Sequence, residues 1–438
     1  MIHFIKKQSP ARIIAFGFAA VILIGSVLLI LPCSVNEGVK VRYIDALYTS
    51  TSAVCVTGLI AIDVGTAFTP IGQFFLAALI QIGGLGVTSV GAGIILAIGR
   101  KINNRGRNLI REASNLYSSK GIVRFIRSVF LTTIAFELTG AALSFIVFVK
   151  DYPPLKALGI SLFHSIAAFN NSGFDNLGLS GELYNNINFI PYQNNVLLNL
   201  VTCGLIIFGG IGFLVIKEVI DKKFRWKKFS MHTKVVISMS LFLIVTGTLL
   251  LKLTENISWM GAFFHSVSAR TAGFSTYFLG DFSSAGLLVL ILLMFIGASP
   301  GSTGGGIKTS TFFVLLQGIK SAAINKSEKG FKYAIPSGTF KKAAVITLLA
   351  LGVVLTGTYL MLIMEPHIDF IDAMFEITSA FGTVGLSTGI TGSLCDGSKL
   401  LSIIIMYIGR LGPLTIANLW YFTKVERVEY PEGNIAIG

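Results

Sequence analysis

The sequence predicts an all-α integral membrane protein built from four repeats of span, pore loop and span around a single pseudo-fourfold axis. Three observations support this prediction: 53% of the residues are hydrophobic and 13% are charged, the basic residues lie in alternate connections, and a similar short segment recurs in each quarter of the chain. The mean hydropathy of +0.76 excludes a soluble globular domain, because too few polar side chains remain to cover such a core in water.

Eight apolar stretches are long enough to cross about 30 Å of hydrocarbon. They lie near residues 13–31, 71–98, 128–149, 196–216, 235–251, 284–324, 343–364 and 400–422, and the sixth is interrupted. The first is too long for a typical signal peptide and has no small-residue cleavage site, so we expect it to remain as a span. The cysteines, Cys33, Cys55, Cys203 and Cys395, show no metal-ligand spacing and are interpreted as small apolar fillers.

The basic residues indicate the topology. Of the 35 Lys and Arg, 26 lie near the two termini and in the connections 100–127, 217–234 and 320–342, whereas the opposite connections hold 7 basic and 13 acidic residues. Because basic loops stay on the cytoplasmic side, both termini and these three connections are predicted to be cytoplasmic. The net charge of +14 therefore reflects topology and predicts no nucleic-acid partner.

Four segments between successive spans resemble one another, which indicates an internal repeat. They read DALYTSTSAVCVTGL, SLFHSIAAFNNSGF, AFFHSVSARTAGF and AMFEITSAFGTVGL. Each begins with small residues that suit a helix and ends in a glycine followed by a large apolar residue. We predict repeats at residues 1–99, 100–222, 223–338 and 339–438, with a broken second span in the third and a C-terminal tail in the fourth.

Re-entrant loops of this kind point to cation conduction. Irregular backbone at membrane depth is tolerated only where it is buried in protein or lines a watery cavity. Four loops on one axis could present rings of carbonyl oxygens that replace the hydration shell of a cation. Glycine permits the required backbone angles, and the short helix before each loop directs its negative end at the axis. One such match alone would favour helix packing or a turn, whereas four in register favour pore loops.

On these motifs the whole chain resembles the Ktr/Trk/HKT superfamily of potassium-uptake subunits, and its short N-terminus is similar to the bacterial KtrB-type branch. The resemblance implies a K+ channel-like fold in the cell membrane of a bacterium. It also implies that K+ binds to filter backbone carbonyls of Val56, Thr57, Gly58, Asn171, Ser172, Gly173, Thr271, Ala272, Gly273, Thr383, Val384 and Gly385. Plant relatives with serine at the first filter glycine tend to carry sodium, so Gly58 implies potassium. One glycine per repeat predicts looser discrimination among K+, Rb+ and Na+ than the longer TVGYG filter gives.

The stretch GASPGSTGGGIKTSTF at residues 297–312 resembles a phosphate-binding loop only superficially. Ile307 separates Gly306 from Lys308, and the flanking segments are membrane helix instead of strand. We predict that the stretch breaks the second span of the third repeat beneath the filter. The resemblance implies an intramembrane gate loop with gate residues Gly301, Ser302, Thr303, Gly304, Gly305, Gly306, Lys308 and Arg410.

Charged residues within the spans are interpreted from their surroundings. Arg410, in IIIMYIGRLGPL, is predicted to contact carbonyls and hydroxyls of the gate loop, and the resemblance implies that it holds the loop and forms a barrier to cations. Lys308 either adds to this barrier or reaches the cytoplasm. For Glu137, a structural hydrogen bond is favoured over a place on an ion route.

Other polar residues lie near the predicted outer mouth. Five carboxylates are predicted to concentrate cations there: Asp175, Glu182, Asp281, Glu376 and Asp396. His164 and His265 occupy matching positions in the predicted pore helices, where packing is favoured over metal binding.

Partners follow from the resemblance. It implies a homodimer in the lipid bilayer, with one pore in each protomer, and a cytosolic ring of KtrA-like RCK-domain subunits that bind ATP/ADP or NAD(H). The basic connections 100–127 and 217–228 would form the docking surface. The chain itself shows no nucleotide-binding motif and is expected to hold no covalent cofactor, with K+ as the transported ion and Na+ as an activator that stimulates uptake.

Two alternatives predict other features. A membrane-embedded enzyme would need a nucleophile, a base or a metal cluster in the glycine-rich stretch, and the sequence offers none. An alternating-access cation symporter of the Trk type would favour inverted repeats, whereas the four repeats share one orientation. The sequence therefore predicts a channel-like transporter that is not an enzyme.

Overall fold

A computed structural model describes residues 9–98, 102, 104–113, 121–178 and 189–420. Glu182 and the tail beyond residue 420, for which the sequence makes predictions, lie outside these residues. The first repeat contains α1 (Pro10–Ile30), α2 (Tyr43–Cys55), α3 (Val64–Ala67), α4 (Pro70–Leu85) and α5 (Val87–Ala97). The second contains α6 (Asn104–Ala113), α7 (Ile122–Phe148), α8 (Pro154–Phe169), α9 (Val196–Ile211) and α10 (Phe213–Asp221).

The third repeat contains α11 (Met231–Thr254), α12 (Trp259–Ser268), α13 (Ser284–Phe295) and α14 (Thr309–Ile324), followed by a hairpin of β1 (Lys329–Gly330) and β2 (Tyr333–Ala334). The fourth contains α15 (Thr339–Met364), α16 (Phe370–Gly382), α17 (Asp396–Leu411) and α18 (Pro413–Trp420). Short 3-10 turns lie at Ile190–Tyr192, Trp226–Lys228, Leu279–Asp281 and Thr391–Ser393. Each repeat thus has a long first helix, a short pore helix (α2, α8, α12 or α16) and an interrupted second helix.

The second helices differ from their prediction. By length and composition, the four first helices could each cross a membrane, and two second helices could cross only as bent pairs, α4 with α5 at 99° and α9 with α10 at 95°. The prediction that only the sixth span is interrupted is wrong, because the other three second helices are interrupted as well. The break in the fourth repeat separates α17 from α18 at Gly412. Gly86, Gly212 and Gly412 have φ of 84°, 98° and 88°, a conformation that an α-helix cannot continue through.

Repeated contacts fix each pore helix against its first helix. In three repeats a pore-helix serine donates a hydrogen bond to a first-helix carbonyl: Ser50 to Ile22 (2.7 Å), Ser165 to Glu137 (2.6 Å) and Ser266 to Ile244 (2.8 Å). A glycine three residues further along the first helix gives the serine room. A Cβ on Gly25, Gly140 or Gly247 would lie 2.4, 2.5 or 2.4 Å from the serine Oγ. In the fourth repeat Ile377 takes the serine's place and packs against Gly357.

Contacts between repeats close the fold into a ring. The upper part of each second helix packs against the pore helix of the next repeat: α4 on α8, α9 on α12, α13 on α16, and α17 on α2. The last contact joins the fourth repeat to the first. The predicted fold, with four repeats around one pseudo-fourfold axis, is therefore confirmed. The exact repeat boundaries stay predictions.

Candidate functional site

The loops that follow the four pore helices share one backbone conformation. Two residues before each glycine, a residue with a side chain has a left-handed φ: Val56 59°, Asn171 58°, Thr271 74° and Thr383 50°. The glycines themselves have φ of 89° at Gly58, 70° at Gly173, 80° at Gly273 and 98° at Gly385. A left-handed residue other than glycine is uncommon, so its recurrence at four matching positions indicates one loop geometry used four times.

The amide groups between these positions bond back to their own pore helix. A backbone N–H donates to a pore-helix carbonyl in each repeat: Thr57 to Ser52 (2.7 Å), Ser172 to Ala167 (2.9 Å), Ala272 to Ser268 (2.8 Å) and Val384 to Ser379 (2.9 Å). All four donor residues are fully buried. Their N–H groups are therefore satisfied within the repeat, and their carbonyl oxygens bond to no N–H of their own pore helix.

Those four carbonyls form a closed ring with the glycines. A Cβ built on Gly58 would lie 2.0 Å from the oxygen of Ser172, one on Gly173 2.8 Å from that of Ala272, one on Gly273 2.2 Å from that of Val384, and one on Gly385 2.2 Å from that of Thr57. Each glycine thus touches the carbonyl of the next repeat, and the fourth contacts the first. A side chain at any of these positions would strike backbone. Such a ring of peptide oxygens can bind a partly dehydrated cation.

A cavity of about 60 Å³ opens on one side of this ring. Three of the glycines, Gly58, Gly273 and Gly385, line it together with apolar and aromatic side chains such as Ile60 and Phe278. The described residues that line it include no carboxylate. Within its described lining, therefore, no carboxylate can contact a cation directly.

The four described acidic residues that the sequence predicts near the mouth differ in exposure. Glu376 is fully buried, since its face of α16 points into the protein, and its Oε1 accepts a hydrogen bond from Thr391 at 2.6 Å. Asp175 is also buried, and Asp396 forms an ion pair with Arg42 at 3.0 Å. Asp281 is exposed but does not line the cavity. The prediction is wrong for Glu376 and Asp175, because burial removes both carboxyl groups from the water at the mouth. For Asp281 and Asp396, which are exposed, it stays a prediction.

The glycine-rich stretch lies against the other side of the ring. A Cβ on Gly304 would lie 2.0 Å from Thr271 Oγ1, and one on Gly305 would lie 2.3 Å from Thr383 Oγ1. The hydroxyl of Thr303 donates to the carbonyl of Phe169 and to Oδ1 of Asn171, both at 3.4 Å. The stretch therefore touches the left-handed residues of the second, third and fourth repeats. We call residues 296–308 the inner loop.

Backbone hydrogen bonds tie the inner loop to the break in the second repeat. The N–H of Ser299 donates to Gly210 (3.0 Å), that of Thr303 donates to Gly209 (3.3 Å), and that of Phe213 donates to Gly301 (3.1 Å). Ser302 Oγ donates to the carbonyl of Ser299 at 2.6 Å, and Gly306 has φ of 67°. The loop is thus an ordered segment that depends on the non-helical backbone between α9 and α10.

Two cationic side chains hold the inner loop. Arg410 donates hydrogen bonds to the carbonyls of Thr303 and Gly83, as well as to Gly84 at 3.4 Å. The predicted contact between Arg410 and a carbonyl of the loop is present. Lys308 Nζ donates to the carbonyls of Gly304 (2.7 Å) and Gly305 (3.3 Å), so its side chain turns back into the loop.

The remaining in-span candidates make local hydrogen bonds. Asn170 Nδ2 donates to Glu137 Oε1 (3.1 Å) and to Gln81 Oε1 (2.7 Å), an arrangement that fits the structural interpretation of Glu137. His164 bonds to Thr202 at 3.0 Å, and His265 bonds to Gly261 at 2.8 Å. Within the described residues, His, Cys, Asp and Glu form no group of three or more that could hold a metal ion.

Sequence reasoning missed Arg270. This residue directly precedes Thr271 in the third loop, is only 8% exposed, and donates to the carbonyl and the hydroxyl of Ser240 on α11. A signal was present in the repeat, because the matching residues Cys55, Asn170 and Gly382 carry no charge. An arginine at one of four equivalent positions next to a predicted filter is unusual enough to single out.

Comparison with known proteins gives consistent matches over the whole chain. Residues 10–422 match the family model described as TrkH, cation transport protein. Ktr system potassium uptake protein B of Bacillus subtilis is 37% identical over 99% of this chain and 97% of that protein. Potassium/sodium uptake protein NtpJ of Enterococcus hirae is 34% identical, covering 99% and 98%. The solved potassium transporter TrkH of Vibrio parahaemolyticus has the same fold, with a TM-score of 0.72 at 19% identity over 95% of this chain and 86% of that one.

Proposed function

Because the chain belongs to the TrkH family of cation transport proteins, we propose that it is the ion-translocating membrane subunit of a bacterial Ktr-type potassium-uptake system. Its family consists of ion transporters and not of enzymes. The observation that carries the proposal is the closed ring in which each of the four loop glycines touches a carbonyl of the next repeat. The names of the Bacillus subtilis and Enterococcus hirae relatives support potassium as the ion.

The proposed filter consists of the three residues that end at each loop glycine. Val56 to Gly58 and the matching residues of the other repeats supply backbone carbonyls that replace water around K+. The repeated left-handed conformations support this role, since alternating backbone signs orient successive carbonyls alike. Each filter segment is short and differs in sequence from the other three, so we expect modest discrimination between K+ and Na+.

The proposed gate is the inner loop, residues 296–308. It packs against the left-handed residues of three repeats, which supports a position in the conduction path. Arg410 and Lys308 both bond to its carbonyls, and their positive charges would oppose the passage of a cation while the loop stays in place. Conduction then requires that the loop moves aside. The glycines 304–306 give it the backbone freedom to do so.

Partners and orientation are proposed on the family relationship and the charge pattern. A cytosolic RCK-domain ring that binds ATP/ADP or NAD(H) would regulate a homodimer of this chain, and the name Ktr system in its relatives supports a multi-subunit assembly. The basic connections would face this ring, with both termini in the cytoplasm. We propose Na+ as an activator on the family resemblance alone, since the name potassium/sodium uptake protein of one relative describes Na+ only as an ion that this relative takes up.

A second candidate function is alternating-access cation symport. Pore conduction and symport differ in coupling, so flux into liposomes containing the purified chain separates them. With a K+ gradient and no gradient of Na+ or H+, a pore gives sustained K+ flux, whereas a symporter moves K+ only in fixed proportion to a second ion. Strict coupling would overturn the proposed mechanism.

A matched pair of variants connects that flux to the ring. Gly273→Val would place a side chain 2.2 Å from the carbonyl of Val384, whereas Gly352→Val lies on α15 with nothing within 4 Å. We expect the first variant to abolish flux and the second to keep it. Equal flux in both variants would show that ions do not pass the ring.

A further inference from the structure

Arg270 is a buried cation directly behind the third filter loop. Its residue is 8% exposed, and it stands between the end of pore helix α12 at Ser268 and the left-handed residue Thr271. The guanidinium contacts α11, where it donates to the carbonyl of Ser240 (3.3 Å) and to its hydroxyl (3.2 Å). The buried Nε has no hydrogen-bond partner.

The surroundings do not neutralise this charge. The guanidinium borders a cavity of about 20 Å³, which is lined mainly by aliphatic side chains such as Ile207, Ile244 and Val267. Over the described part of the chain, no carboxylate forms an ion pair with Arg270. In such an environment a charge is weakly screened, and its field therefore extends to neighbouring groups.

The position of the charge makes the ring electrically asymmetric. Matching positions in the other repeats hold Cys55, Asn170 and Gly382, all of which are uncharged. A pore helix presents partial negative charge at its C-terminal end, which favours a cation on the axis. In the third repeat a full positive charge lies one residue before the filter and opposes that attraction.

We propose that Arg270 is a positioning residue that sets cation affinity: its charge, held in place by Ser240, weakens binding on the third repeat's side of the filter and so speeds ion release. This inference rests on the proposed function, because it requires that the ring conducts cations. Conduction demands binding that is favourable enough for entry and weak enough for exit. Arg270 would act through the filter's electrostatic potential and would not touch the ion.

Removing the charge should tighten binding and slow turnover. For Arg270→Gln in the full chain in liposomes, we expect the KM for K+ uptake and the maximal rate each to fall roughly three- to tenfold, the scale of one unit charge acting through a partly screened interior. Arg270→Lys keeps the charge and should restore both values to within about twofold of the unmodified protein. A residue with a merely structural role would not give this pattern.

A second pair of variants leaves Arg270 in place. Ser240→Asp puts a carboxylate where the serine hydroxyl now accepts from the guanidinium, and so neutralises the charge without deleting it. Ser240→Asn has a similar shape and no charge. We expect Ser240→Asp to lower KM and the maximal rate as Arg270→Gln does, with Ser240→Asn close to the unmodified protein. This pair decides the question if Arg270→Gln fails to fold.

The outcomes separate this inference from the function on which it rests. If the unmodified chain conducts K+ but KM is unchanged in both charge-neutralising variants, with rates that follow only the amount of folded protein, the inference is overturned and the function stands. The same holds if Arg270→Lys behaves like Arg270→Gln, because shape and not charge would then matter. An unmodified chain that moves no K+ overturns both.

Discussion

Arg410, on α17 of the fourth repeat, donates a hydrogen bond to the backbone carbonyl of Thr303 in the inner loop of the third. The same guanidinium donates to the carbonyl of Gly83, next to the break between α4 and α5 of the first repeat. One side chain therefore joins three repeats at the level of the proposed gate. A buried cation bound to several carbonyls holds its partners firmly, because leaving those groups unpaired is costly.

Replacing Arg410 should open the gate. Arg410→Ala removes the bonds to Thr303 and Gly83 together with the positive charge in the pathway. Since hydrogen bonds to a charged group contribute about 1.5–3 kcal/mol, we expect roughly tenfold or greater K+ flux into liposomes without a regulatory partner. Arg124→Ala, at an exposed position on α7, is the control. Unchanged flux from folded Arg410→Ala protein would remove Arg410 from the gate.

The backbone bond from Phe213 to Gly301 can be tested with two substitutions at one position. Phe213 is the first residue of α10, where proline is well tolerated, so Phe213→Pro removes the N–H donor without breaking the helix. Phe213→Ala removes the same aromatic side chain but keeps the backbone N–H donor. We expect Phe213→Pro to raise basal K+ flux several-fold above Phe213→Ala, because the loop loses one of its ties to the second repeat. Equal flux in the two variants would mean that this bond does not restrain the loop.

The ring of four loop glycines could be predicted from the sequence. Four segments with the same ending and the same orientation can pack equivalently only around an axis, and the structure brings Gly58, Gly173, Gly273 and Gly385 together. The interruption near Gly304 was also predictable, since a run of glycine and serine cannot continue an apolar helix. In both cases small, flexible residues interrupt an apolar sequence, and a break in the membrane helix explains this pattern.

The other breaks were not predicted. The residues around these breaks, at Gly86, Gly212 and Gly412, are as apolar as the rest of their spans. Because hydropathy carries no information on the direction of the chain, it could not show the bends. The repeat contained the signal, because Gly-Leu-Gly, Gly-Ile-Gly and Arg-Leu-Gly end at matching positions. The direction of a side chain was equally inaccessible. Neither the burial of Glu376 nor that of Arg270 can be derived from its neighbours in sequence, because both depend on which helix packs alongside.

A buried ion pair joins the first and last repeats. Lys399 Nζ, on α17, lies 2.7 Å from Oδ1 of Asp45 on pore helix α2. The two residues are 3% and 7% exposed. Lys399→Met leaves a buried carboxylate with only Arg42 as partner, so we expect a loss of about 3 kcal/mol in unfolding free energy. The double variant with Asp45→Asn should recover most of it in thermal unfolding of the detergent-solubilised chain. If the losses of unfolding free energy from the two single substitutions simply add in the double variant, the two residues are not coupled.

Asp175 predicts a pH dependence of stability. It lies beyond Gly173, outside the spanning helices, where burial and the charge of Asp63 raise its pKa to about 7 against the opposing hydrogen bond from the N–H of Leu177. The folded chain therefore keeps a proton that the unfolded chain loses above about pH 4, and stability falls as pH rises from about 4 to 7. Asp175→Asn should stabilise the chain by roughly 1–3 kcal/mol at pH 8 and have little effect at pH 4.

Thermal unfolding of the two proteins across this pH range measures the effect. Asp281→Asn, at an exposed position, serves as the control for the loss of one carboxylate. A stabilisation by Asp175→Asn that is the same at pH 4 and pH 8 would show that the carboxyl does not titrate in this window.

The most direct test of the proposed filter is the ratio of K+ to Na+ uptake after Gly58→Ser. A Cβ at this position would lie 2.0 Å from the carbonyl of Ser172 on a backbone with φ of 89°, so the ring must widen or shift. Gly352→Ser, with nothing within 4 Å, is the matched control. We predict that Na+ uptake rises relative to K+ uptake in Gly58→Ser and stays constant in Gly352→Ser. An unchanged ratio in conducting Gly58→Ser protein would contradict the assignment of the glycine ring as the filter.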